Sequence, residues 1–150
     1  MGCDIHTYRE VKRNGQWETL ETSYEENEGT DAEPEIRTYL DPVHISRNYW
    51  LFGFLSKRVR TEWSFSLEAR GLPEDVSAPV QAESDFWGPD GHSHSWLTLE
   101  ELRLKATELT LLPDPAALKF LPEITDFLSC LTWPEDVQPA DCRVVFWFDN

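Results

Sequence analysis

The chain has a single methionine and only three cysteines, Cys3, Cys130 and Cys142, none of them in a C-x-x-C pair. That excludes a zinc ribbon or a disulfide framework and fits a reducing compartment. Basic residues are also scarce. Thirteen Lys and Arg face 28 Asp and Glu, for a net charge of −15 and a pI near 4.5. Nucleic-acid binders neutralise phosphates with clustered cations, so no direct nucleic-acid binding is expected. No apolar run approaches the roughly 18 residues of a membrane span, and the first residues lack the apolar core of a signal peptide. Met1-Gly2-Cys3 is followed by His6 where a myristoylation motif takes Ser or Thr. These absences predict a soluble cytoplasmic protein without membrane association.

Strong catalytic signatures are missing as well. There is no Walker loop, no dinucleotide fingerprint and no G-x-S-x-G elbow. Ser93 and Ser95 adjoin histidines, but neighbours in an extended turn are expected to point apart. No catalytic residue is therefore assigned, and the balance leans away from an enzyme.

What is present is a foldable chain. Of its 150 residues, 40% are apolar and 13% aromatic, including seven Trp and eight Phe, which is enough for one continuous core in a single domain. Residues 3–11 alternate, with Ile5, Thr7 and Val11 on one face and His6 and Tyr8 on the other, which predicts a strand. Asn14-Gly15 predicts a two-residue hairpin turn returning through Gln16–Leu20. From Glu21 to Glu35 the chain carries seven acids, Gly29, Pro34 and little to bury, and reads as a mobile, solvated loop.

Ser46 is placed to cap a helix with Tyr49, Phe52, Leu55 and Val59 on one face and Lys57, Arg58 and Arg60 in its last turns. Residues 61–89 show no clear period, although Trp63, Phe65, Phe86 and Trp87 predict that they pack down on the core. The most informative stretch is Asp90–Leu102, D-G-H-S-H-S-W-L-T-L-E-E-L. Thr98 and Glu101 form a capping box for a helix with Leu99, Leu102, Ala106 and Leu109 as its stripe. His92 to Trp96 read as a polar turn in front of it. Asp114-Pro115 opens a helical turn, Pro122 restarts a helix bearing Ile124, Phe127, Leu128 and Leu131, and Pro134 ends it. Arg143–Asp149 is apolar on both faces and predicts a central strand. Together these elements predict an α+β domain, with a small sheet of N-terminal hairpin and C-terminal strand against about three helices.

Several blocks resemble a family of small uncharacterised bacteriophage and prophage proteins. They are Met1-Gly2-Cys3-Asp4-Ile5-His6 with Asn14-Gly15 and Trp17, Arg47-Asn48-Tyr49, Arg70-Gly71-Leu72-Pro73, His92-Ser93-His94-Ser95-Trp96-Leu97-Thr98 and Val144–Asn150. The resemblance spans nearly the whole chain, apart from the acidic stretch and Trp50. It implies a viral or proviral source, the host cell cytoplasm, and an accessory role acting on host enzymes or host immune signals.

Three chemistries compete for these residues. A small anionic ligand, such as a nucleotide, would take Arg47 and Arg70 as cations, with Asn48, His92, Ser93, His94 and Ser95 as polar partners and Tyr49, Trp63, Trp87 or Trp96 as a stacking surface. This is the preferred expectation: binding without catalysis, as in sequestering a host nucleotide signal, with no cofactor required. Alternatively, the acidic surface would occupy a basic site on a host protein and inhibit it. A metal-dependent hydrolase would instead recruit ligands from His6, His92, His94 and Asp149. An exposed hairpin edge leaves homo-oligomerisation open.

Overall fold

The structure is a computed structural model that describes residues 2–60 and 63–150. Its main sheet has four strands. They are β1 (Asp4–Arg13), β2 (Gln16–Thr19), β5 (Gly91–Thr98) and β6 (Cys142–Asp149), in the order β2-β1-β6-β5 and antiparallel throughout. The turn between β1 and β2 has φ of 53° at Asn14 and 77° at Gly15, the two positive values that this dipeptide accommodates. β6 is buried from Cys142 to Phe148, as expected of a strand covered on both faces.

One face of the sheet presents Ile5, Val144, Phe146, Phe148 and Leu97. It packs against α1 (Tyr49–Leu55), α3 (Leu99–Leu111) and α4 (Ala117–Cys130), with Phe52, Leu102, Phe120 and Ile124 fully buried at the join. The opposite face presents Tyr8, Val145 and Trp147 to Val80 of α2 (Ala78–Trp87) and to Leu40 of β4 (Ile36–Leu40). The domain is α+β, as the patterning predicts. No described helix is long and apolar enough to cross a membrane.

Four expectations are corrected. The acidic stretch is no loop throughout, because β3 (Ser23–Asn27) pairs with β4 in a two-stranded ribbon, held to the body where buried Glu83 of α2 accepts a 2.7 Å hydrogen bond from Leu40 N. The apparently aperiodic stretch contains α2, a fourth helix whose buried residues are Val80, Glu83 and Ser84. Only one of those three is apolar, so no hydrophobic period marks it. The cap of α1 falls two residues later than predicted, at Asn48, whose Oδ1 accepts from Leu51 N at 3.1 Å, and the helix ends at Leu55, so Lys57, Arg58 and Arg60 lie beyond it. Finally, α4 runs continuously through Pro122, its entry turn closed where Asp114 Oδ1 accepts from Ala116 N at 2.9 Å.

Candidate functional site

β1 begins, β6 ends and β5 begins at one end of the sheet, because Asp149 is the register partner of both Asp4 and Gly91. Chain segments far apart in sequence are thereby brought to a single rim. Arg47 donates from Nε and Nη2 to the two carboxylate oxygens of Asp4 at 2.9 and 2.8 Å, a bidentate pair in which both side chains stay about half exposed. The guanidinium lies hard against Gly2, where any side chain would collide with it. Hydrogen bonding to Arg47 holds the Asp4 carboxyl below the usual carboxylate range and raises the Arg47 pKa further.

Behind this pair, His6 Nε2 lies 2.8 Å from Asp149 Oδ2, and Asp149 Oδ1 accepts from Asp4 N at 3.2 Å. Buried Cys3 sits close by. Its thiol is pushed up by burial, with Arg60 opposing.

His92 to Trp96 are not a turn but most of β5, an edge strand with a bulge between His92 and Ser95. Ser93 takes a φ of 54° there, and its Oγ comes within 3.0 Å of His92 Nδ1. This corrects the expectation that the two side chains point apart. The bulge bends the backbone enough to turn the hydroxyl toward its neighbour. His92 Nε2 reaches Asn150 Oδ1 at 3.2 Å. His94 instead stacks on Trp147, with ring centroids 5.6 Å apart. Burial, and secondarily the His92 charge, hold the His94 pKa below its ordinary value. His6 completes the ring cluster, 4.2 Å from Trp87 and 6.0 Å from Trp147.

Arg70, Ser95 and Trp96 lie elsewhere. The Arg70 guanidinium pairs with Glu101 in the first turn of α3 and stands 4.6 Å from the Trp96 ring centroid, while Arg70 N donates to Ser95 Oγ at 3.1 Å. Thr98, the residue capping that helix, is level with Arg143 and hence with Glu10, six residues along β1 from Asp4. At roughly 3.4 Å per residue that is about 20 Å from the Arg47 pair. Arg70 itself is anchored nearer, at Ser95 and Trp96, which are level across β6 with Thr7 and Tyr8, but its guanidinium is committed to Glu101 and not to the Arg47 rim. Trp96 is also already engaged, since Arg143 stands 5.7 Å from its centroid and 3.9 Å from that of Trp17.

Among the described residues, no three His, Cys, Asp or Glu side chains are grouped to hold a metal ion. His6 and Asp149 meet as a pair, but His92 faces Asn150 and His94 faces an indole. What the rim does offer is a groove of about 620 Å³. Arg47, Asn48, Tyr49 and Trp50 line one wall, and Glu123 and Asp126 of α4 line the other. That volume is in the range of small-molecule sites. Asn48 Nδ2 donates to Glu123 across it.

Sequence reasoning missed Asp4 as the partner of Arg47, Trp50 as a groove wall, and Trp87 and Trp147 as the bed for the imidazoles. Only Asp4 carried a usable signal, an exposed acid that opens a strand between two buried neighbours, Cys3 and Ile5. No family model, curated protein or solved structure matches the chain.

Proposed function

We propose that this chain binds a small phosphate-bearing ligand at the Arg47 rim and holds it without turning it over. One observation carries the reading. In a chain with more than twice as many acids as bases, Arg47 stands at the lip of the groove with its guanidinium aligned by Asp4, about half exposed. A planar fork held in one orientation is suited to the oxygens of a phosphate, which can share or displace the carboxylate.

The resemblance to phage accessory proteins extends this to sequestration of a host nucleotide signal in the host cytoplasm. Isothermal titration with ribose 5-phosphate tests the binding step. Wild type should give a saturable heat that Arg47→Ala abolishes, and no heat from wild type would remove the proposal.

A second reading, an acidic surface that inhibits a host protein, has its own observation. The ribbon and its turn expose Glu25, Glu26, Glu28, Asp31, Glu33 and Glu35, beside exposed Tyr24, Ile36 and Phe86. Its test is association with a basic partner that weakens steeply with salt and is lost on charge reversal of Glu25 and Glu26.

A further inference from the structure

We propose that the ligand carries a planar heteroaromatic ring, as a nucleoside monophosphate does, and that this ring closes a stack on the open face of Trp50. The inference rests on the Arg47 reading above and specifies what the rest of the groove recognises. Trp50 belongs to α1 and is 46% exposed, unusual for an indole in a domain whose other aromatics mostly fill the core. It is not a loose side chain. Trp63 lies parallel beneath it at 5.8 Å and 20°, and Phe65 lies parallel to Trp63 at 6.2 Å and 15°.

Phe120, fully buried in α4, meets all three rings edge-on at 5.2, 5.3 and 4.9 Å. These contacts fix the column from the side. Trp63 lies against one side of Trp50, no aromatic ring stacks on its other side among the described residues, and about half of the residue is open to solvent, which leaves that side for a ligand. Edge-to-face and offset contacts of this kind hold an aromatic platform in place before a ligand arrives, which lowers the ordering cost of binding.

The platform lies in the same groove as the cation. Arg47 is three residues before Trp50 and lines the same wall, while Asp126 stands opposite on α4. A base on the indole, a phosphate at Arg47 and a sugar hydroxyl donating to the Asp126 carboxylate would use the three chemical characters the groove presents. Stacking tolerates any base, because every base has a π face. The groove therefore selects the class of ligand and not the base.

The test is isothermal titration with AMP, GMP and UMP beside ribose 5-phosphate, on wild type, Trp50→Ala, Trp50→Phe and Arg47→Ala, each checked for its circular dichroism spectrum. The nucleotides should bind roughly ten- to a hundredfold more tightly than ribose 5-phosphate, the range expected for one stacked base. Trp50→Ala should erase that advantage, so that the nucleotides bind this variant no more tightly than ribose 5-phosphate does, and Trp50→Phe should keep part of it. Equal affinities in wild type, or an advantage that survives Trp50→Ala, would overturn the Trp50 inference and leave phosphate binding standing. If neither ribose 5-phosphate nor any nucleotide binds wild type, the parent reading fails and this one fails with it.

Discussion

The guanidinium of Arg47, which lines a groove, and the carboxylate of Asp4 share two parallel hydrogen bonds of 2.9 and 2.8 Å. Both side chains are about half in solvent, and exposed pairs contribute about 0–1 kcal/mol. Stability is therefore not what the alignment supplies. Arg47→Ala should lower the melting temperature by no more than about 2–4 °C, while removing ligand binding altogether. Differential scanning calorimetry beside the titration checks both halves, and a large loss of stability would make the pair structural.

The opposite end of the same sheet face behaves differently. Glu10 and Arg143 are 0% and 2% exposed, and Arg143 Nε donates to Glu10 Oε1 at 2.8 Å. Glu10 Oε2 accepts from Ser77 N at 2.8 Å, and Arg143 Nη1 donates to Asp75 at 2.8 Å. Glu10→Ala would strip the guanidinium of its buried partner and orphan the Ser77 amide. Removing one member of such a pair costs about 3–5 kcal/mol, a large share of the 5–15 kcal/mol that holds a domain folded. Urea denaturation should record this, and a change below 1 kcal/mol would contradict the network.

His94 makes stability depend on pH in a defined direction. Burial, followed by the His92 charge, depresses its folded pKa, so the folded state binds its proton less readily than the unfolded chain does. The stabilisation of the neutral ring is complete above the unfolded value near 6.5 and is lost as pH falls through the lower folded value. The melting temperature should thus drop between pH 7.5 and 5.5. His94→Phe, which keeps a ring on Trp147, should flatten that slope. The acids Asp4, Asp75 and Glu101, whose pKa values are lowered by Arg47, Arg143 and Arg70, act only further into acid.

Thr98→Ala tests the start of α3. Thr98 Oγ1 accepts from Glu101 N at 3.0 Å, and Glu101 Oε1 accepts from Thr98 N at 3.1 Å. Loss of the threonine oxygen should cost about 1 kcal/mol by denaturant titration. Thr98→Ser should restore most of it.

What was legible in the sequence was local. Asn14-Gly15 and the Thr98/Glu101 capping box name their own geometry within a few residues, and the short, valine- and aromatic-rich run of β6 reads as a covered strand. α2 was hidden because two of its three buried residues are polar, Glu83 and Ser84, serving hydrogen bonding more than packing. β5 was hidden because a bulge breaks the alternation of His92 to Ser95. The site was least legible of all. Its pairs, Asp4 with Arg47 and His6 with Asp149, join residues 43 and 143 positions apart. Composition made the two arginines look equivalent, and only the fold shows that Arg47 pairs with Asp4 while Arg70 pairs with Glu101.

The most direct measurement of the central claim is mass spectrometry of freshly purified protein under native and then denaturing conditions, for wild type and Arg47→Ala. The account predicts that wild type, loaded with a nucleoside monophosphate pool, retains one phosphate-bearing molecule per chain and releases it on denaturation, while Arg47→Ala emerges bare. Wild type that stays bare under the same loading, or a variant that retains the ligand equally, would contradict it.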